Sequence, residues 1–169
     1  MKILLSGATG FIGQALVMRL QEQGHTLILW VRSVEKARRL FGEQLRVITQ
    51  LAELDDEEPL DGIVNLAGAG IAERRWSEKR KQLLLDSRID TTQALVALIQ
   101  RLQRKPEVLV SGSALGYYGS QPGDVQLDES AAVVDGFTHQ LCQRWEDTAR
   151  AATEQGVRVC LIRTGIVLG

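Results

Sequence analysis

Apolar residues fall into short runs along this chain, separated by stretches of helical period or by polar turns. The runs are Lys2–Leu5, Thr26–Val31, Leu45–Ile48, Gly62–Leu66, Glu107–Ser111 and Val157–Ile162, all rich in Val, Ile and Leu. Short, nearly continuous apolar runs predict strands buried on both faces, as in a parallel sheet. Between them, helices are predicted over Phe11–Gln23, Val34–Phe41, Glu78–Arg101 and Phe137–Glu154. The first carries Phe11, Ile12, Leu16, Val17 and Leu20 as its apolar face and ends at Gly24, with His25 placed to help cap it. The third has Ser77 as its N-cap and Pro106 soon after its end. Residues 52–59 are acidic and weakly patterned, so they read as a surface connection. Residues 120–134 are polar, contain Pro122 and Gly123, and read as a loop long enough to be functional. Six strands alternating with helices define an α/β domain: a doubly wound parallel sheet in three αβα layers, spanning residues 1–169.

The segment after the first strand sharpens this picture. Gly7, Gly10 and Gly13 stand at G-x-x-G-x-x-G spacing in Ser6-Gly7-Ala8-Thr9-Gly10-Phe11-Ile12-Gly13, between a strand and a helix entry. Such a turn stacks the first helix amides against a pyrophosphate, and missing side chains let a dinucleotide approach the backbone. Gly7, Thr9, Gly10, Phe11, Ile12 and Gly13 are therefore the expected cradle, in a Rossmann arrangement. An acidic residue at the end of the second strand, ~20 residues past the glycines, usually binds the adenosine ribose. Here Arg32 and Ser33 follow Leu27-Ile28-Leu29-Trp30-Val31, and no carboxylate comes before Glu35. A guanidinium there suits a 2′-phosphate, so NADP(H) is expected over NAD(H). The fourth strand runs into Asn65-Leu66-Ala67-Gly68-Ala69-Gly70. Small residues at that carboxyl end let a ligand lie against the backbone, which adds Ala67 and Gly68 to the cofactor set. Two roles stay open for Asn65: holding a neighbouring strand or touching the cofactor.

Composition excludes several classes. With 20 basic and 21 acidic residues and 5% aromatics, the chain shows no electrostatic footprint or stacking surface for nucleic acid, and no charge excess for an anionic membrane. No apolar stretch approaches a bilayer span. Cys142 and Cys160 have no metal-ligand spacing and read as reduced thiols of a cytoplasmic protein.

Longer stretches add a family resemblance. Thr9-Gly10-Phe11-Ile12-Gly13, Asn65-Leu66-Ala67-Gly68, and Val110-Ser111-Gly112-Ser113-Ala114 followed by Tyr117-Tyr118-Gly119 resemble the short-chain dehydrogenase/reductase superfamily, in its extended NAD-dependent epimerase/dehydratase group. A sugar-nucleotide-epimerase-like subgroup is closer still. It is similar at Arg75-Trp76-Ser77, at Ser87-Arg88 with Thr92, at Phe137-Thr138-His139 with Trp145-Glu146, and at Arg163-Thr164-Gly165-Ile166-Val167-Leu168. The resemblance implies a Rossmann domain, a small-molecule substrate such as a sugar nucleotide, and a further C-terminal substrate-binding part, so residues 1–169 are expected to be an N-terminal fragment.

The superfamily's reaction uses a Ser that polarises the substrate oxygen and a Tyr-x-x-x-Lys pair for proton transfer in support of hydride transfer. Ser113 matches the Ser. The pair is absent: the only tyrosines are Tyr117 and Tyr118, and the last lysine is Lys105. Its positions fall on Gly136 and Gln140, or on Thr138 and Cys142. Tyr118 and His139 are the candidate substitutes, against packing roles for both; an imidazole with an ordinary pKa of ~6.5 suits acid/base work. Arg75 with Trp76, and Arg163, are further candidates for an anion, and the spacing of Arg88 from Leu84 and Leu95 lets it point inward from its helix. Two functions follow from these residues: an NADP(H)-dependent redox or epimerase-type enzyme with a non-standard acid/base set, or an NADP(H)-binding sensor or regulatory protein without turnover.

Overall fold

The structure, a computed structural model, describes residues 1–168. Six strands, β1 (Lys2–Ser6), β2 (Thr26–Trp30), β3 (Arg46–Ile48), β4 (Gly62–Asn65), β5 (Val108–Ala114) and β6 (Arg158–Thr164), form one sheet in the order β3-β2-β1-β4-β5-β6. Every neighbouring pair is parallel. Four helices connect them: α1 (Phe11–Glu22), α2 (Val34–Phe41), α3 (Glu78–Arg101) and α4 (Phe137–Arg150).

The strands alternate their faces residue by residue. Ile3 and Leu5 of β1 and Leu27 and Leu29 of β2 pack with Val17 of α1 and Ala37 of α2. Leu4, Ile28, Ile63 and Leu109 point the other way, against Leu95, Val96, Leu98 and Ile99 of α3 and Ala149 of α4. Two helices on each face make the three layers, and the strand order reverses direction between β1 and β4. That reversal opens a crevice at the carboxyl ends of those two strands, where doubly wound sheets take ligands.

Predicted and observed elements differ mainly at their ends. β5 and β6 run further than expected, because their register continues through Ser113↔Arg163 and Ala114↔Thr164. Both polar residues therefore stand on rigid strand rather than on loop. The last helix is shorter: α4 stops at Arg150 and tightens into a 3₁₀ turn, Ala151–Gln155, closed by Gly156 in the left-handed region at φ 75°. Phe11 and Ile12, expected on the apolar face of α1, are instead 59% and 40% exposed. The end of α1 is capped by backbone: with Gly24 left-handed, its amide reaches Gln21 O and the His25 amide reaches Leu20 O. The acidic connection at 52–59 includes a short 3₁₀ turn, Leu51–Glu53. It also buries Glu58, which pairs with Lys2 and with Arg46 at 2.7 Å.

A buried polar seam crosses the sheet and joins both later helices. Ser6 Oγ donates to Asn65 Oδ1 at 2.7 Å, Asn65 Nδ2 donates to Thr92 Oγ1 at 2.8 Å, and Trp145 Nε1 reaches the same Thr92 oxygen at 3.1 Å. These groups are buried and mutually satisfied, so the seam sets the relative placement of β1, β4, α3 and α4.

Helix α1 lies so close to the first turn that a Cβ on Gly13 would stand 2.2 Å from Gly7 O. Gly13→Ala is expected to force the helix outward and lower stability by about 1–3 kcal/mol, read as a lower urea unfolding midpoint at unchanged slope.

Candidate functional site

The turn between β1 and α1 is shaped by contact with the neighbouring strand end. Gly7 has φ 76°, and a Cβ there would meet Leu66 C and O at 2.5 Å and Ala67 N at 2.7 Å. Only glycine takes both that conformation and that approach without strain. The Gly10 amide then closes on Gly7 O at 3.0 Å, and Gly10 becomes the N-cap of α1 with no side chain to cap it. By contrast, α2 and α3 are capped by Ser33 and Ser77, whose hydroxyls accept from Lys36 N and Arg80 N. The first amides of α1 have no side-chain acceptor, and they carry the positive end of the helix dipole. Exposed Phe11 and Ile12 flank them, and Thr9 is half-buried beside them.

Trp30 is level with Ser6 in the β1–β2 register, so Arg32 lies just past the strand end on the same edge as the glycine turn. Arg32 is exposed and joins none of the ion pairs among the described residues, whereas Arg38 on α2 is paired with Glu43 at 3.0 Å. Ala67 and Gly68 follow β4 on the far side of the crevice, Gly68 exposed. Asn65 does not face that crevice. Its amide is bonded at both ends inside the seam and it has no exposed surface.

A second group of residues sits at the carboxyl ends of β5 and β6. Glu146 on α4 has no exposed surface and gathers four hydrogen bonds. Ser113 Oγ donates at 2.6 Å, Arg163 Nε and Nη2 at 2.8 and 2.9 Å, and Arg150 Nη2 at 2.9 Å. Burial pushes the Glu146 carboxyl up, but the bonds from Arg163 and Ser113 outweigh it and hold the group below its ordinary value. The bidentate pair with Glu146 likewise raises the Arg163 guanidinium. Arg163 also donates from Nη1 to the Tyr118 hydroxyl at 2.9 Å, and its Cζ lies 3.4 Å over the centre of the Tyr117 ring.

This arrangement changes the reading of two expected catalytic residues. The Ser113 hydroxyl donates to the buried Glu146 carboxylate. His139 is buried, with Nδ1 bonded to Tyr117 O at 2.5 Å and its ring edge-on to Tyr117. It fastens the 3₁₀ turn Leu115–Tyr118 to α4. Tyr118 is buried as well, its phenolic oxygen accepting from Arg163 Nη1. Trp76 packs edge-on against Phe137 at the start of α4 and does not stack with Arg75.

Glu146 is the residue that sequence reasoning missed as a centre. Its signal was an acid on an apolar helix stripe beside Trp145, with Ser113 and Arg163 at strand ends. Only the β5–β6 register shows that the two ends meet over one carboxylate.

An open parallel sheet reversing between β1 and β4, with an uncapped glycine turn at that reversal, defines a doubly wound Rossmann-type α/β domain. The chain matches the NAD-dependent epimerase/dehydratase family over residues 3–169, and it belongs to that family. Epimerase family protein Mb2239 of Mycobacterium bovis is 38% identical over 168 residues, covering 98% of this chain and 54% of that protein. The crystal structure of human epimerase family protein SDR39U1 (isoform 2) with NADPH superposes with a TM-score of 0.82 at 32% identity, over 100% of this chain and 55% of that one. UDP-glucuronic acid 4-epimerase from Bacillus cereus, in complex with NAD, shares the fold with a TM-score of 0.77 at 18% identity, covering 100% of this chain and 58% of that chain. The chain thus spans about half the length of the relatives it matches. Among the described residues, no helix is long and apolar enough to cross a membrane.

Because the folded Glu146 carboxyl lies below its unfolded value near 4.5, its contribution to stability is whole above that pH and is lost as pH falls through the folded value. Glu146→Gln is expected to lower stability at pH 7 by about 3 kcal/mol, the low end for breaking a buried pair because Arg163 keeps some solvent. It should also flatten the loss of stability between pH 6 and acid, measured by urea unfolding across about pH 3–7.

Proposed function

We propose that the chain is an NADP(H)-binding domain of a redox or epimerase-type enzyme. The observation that carries this is the uncapped amide cluster of α1, pressed into place by Gly7, with the unpaired Arg32 on the same edge. The amides of Phe11, Ile12 and Gly13 would take the pyrophosphate, Gly7 and Gly10 would let it reach the backbone, and Thr9 would line the turn. Arg32 would fork onto the 2′-phosphate, with the Ser33 hydroxyl beside it. Ala67 and Gly68 would border the nicotinamide ribose. The NADPH in the human relative's structure supports the choice of cofactor. When bound, the nicotinamide supplies hydride transfer.

The acid/base residue proposed for this site is Tyr118. Arg163 occupies one lone pair of its oxygen, leaving the phenolic proton to be given to or taken from a ligand. Glu146 orients Arg163, and through it Tyr118. A sugar nucleotide is the proposed substrate class, supported by family membership. The cytoplasm is the proposed location, in keeping with two free thiols at Cys142 and Cys160. The hydrogen bond from Ser113 to Glu146 favours a second reading, cofactor binding without turnover, because it withdraws the superfamily's polarising hydroxyl.

Calorimetric titration tests the cofactor reading. NADPH should bind and NADH should bind much more weakly, and Arg32→Ala should weaken NADPH by roughly tenfold or more while leaving NADH nearly unchanged. Equal affinities in the parent chain would end the Arg32 assignment.

Turnover separates the two readings. Substrate-dependent oxidation of NADPH, surveyed across sugar nucleotides and small carbonyls, should fall by about 10²-fold or more in Tyr118→Phe. A uniform absence of turnover with cofactor binding intact would leave the sensor reading.

A further inference from the structure

The turn between β4 and α3 gathers more positive charge than the acids around it neutralise among the described residues. Arg88 of α3 runs back toward the helix start, where Nη1 donates to Leu84 O at 3.0 Å and Nη2 to Ala69 O at 3.1 Å. One residue further along the turn, Gly70 O accepts from Arg80 Nη2 at 2.5 Å. Two guanidiniums from positions two helical turns apart thus converge on consecutive carbonyls. Both side chains are largely sheltered: Arg80 is 12% exposed, and Arg88 is half-buried with its Cζ 5.1 Å over the Trp145 ring.

Their counter-charges do not balance. Glu73 bonds Arg80 at 3.0 Å but is itself 66% exposed, so that pair is weak. Arg88 joins no ion pair among the described residues. Its ionisable neighbour Cys142 is pushed toward the neutral thiol by burial, and nearby Glu146 is occupied by Arg163, Arg150 and Ser113. Burial, with repulsion from Arg80, lowers the Arg88 guanidinium. Arg80 Nε is buried with no acceptor at all. Exposed Arg74 and Arg75 add charge at the rim.

A sheltered cation without an acid partner, beside an orphaned N–H, lacks an anionic acceptor. The position is specific. Arg88 lies against Gly68, whose Cβ would be 3.0 Å from Arg88 Cζ, and Trp145 beneath it packs on Gly112, next to Ser113. The cluster thus stands between the crevice and the Ser113–Tyr118 end of β5.

We propose that Arg88 and Arg80 form an oxyanion subsite at the β4–α3 turn, which takes a carboxylate or phosphate group of a ligand. The subsite is distinct from the Arg32 locus and does not depend on the nucleotide reading. The N–H groups of Arg88 left over from Leu84 O and Ala69 O would pair with oxygens of the anion, as guanidinium geometry favours, with the charge of Arg80 beside them.

The test titrates the protein with inorganic phosphate and, separately, with malonate at constant ionic strength, following melting temperature and binding heat. Saturable stabilisation is expected, with the apparent affinity weakened about tenfold in Arg88→Gln and in Arg80→Gln. Arg88→Lys should fall between, since it keeps charge but loses the fork. If Arg88→Gln does not fold, Arg80→Gln decides: a lost response supports the subsite and a retained one overturns it. A response to only one anion supports it and names the group. No saturable response in the parent chain, or an unchanged response in Arg88→Gln, overturns it. So does a response abolished by Arg32→Ala but kept in Arg88→Gln, which would place the anion at the nucleotide locus.

Discussion

The close approach of the β1 and β4 ends is the constraint on which the rest of this structure depends. Gly7 lies against the Leu66–Ala67 backbone with no room for a side chain, and Leu66 N closes the gap by bonding Ser6 O at 3.1 Å. From that point the chain leaves β1 toward one face of the sheet and leaves β4 toward the other. Two apolar layers, the crevice and the uncapped start of α1 all follow from the same departure. A larger residue at Gly7 would disturb backbone on both sides of the crevice, because interiors this closely packed transmit strain rather than absorb it.

At the other end of the sheet a buried carboxylate plays the corresponding part. Glu146 draws in a strand residue from β5, another from β6 and an arginine from its own helix. Such a group is costly to desolvate and is tolerated because every oxygen is bonded. Its consequence is geometric: Arg163 is held in one orientation, and Tyr117 and Tyr118 are placed by it. The proposed acid/base residue is therefore positioned through a chain of charge-assisted bonds rather than by a lysine one helical turn away.

Arginine supplies the charge at each of these places. Among the described residues, Arg32 joins no ion pair just past the end of β2, Arg163 is locked into the carboxylate, and Arg88 is sheltered on an indole without an acid partner. A guanidinium keeps its charge when partly buried, where a lysine would lose its proton more readily.

The amino-acid sequence by itself determined the architecture. Six β-rich apolar runs alternating with helices admit few arrangements, and glycines at Gly7, Gly10 and Gly13 mark the turn because only backbone fits there. Arg32 was legible for the same local reason, since its place follows from the end of the strand before it. Tertiary structure alone decided which polar groups spend their hydrogen bonds internally. Asn65 and Ser113 carry donors that a linear reading leaves free, but the seam and Glu146 consume them. His139 looked suited to acid/base work until its ring was found fastened to Tyr117 O. Glu146, Arg163 and Arg88 gain their meaning from hydrogen-bond partners 17 to 45 residues away. Local periodicity sets which face a residue takes, but the satisfaction of a buried charge depends on which distant strand ends and helices converge on it, and that is a property of the packed fold.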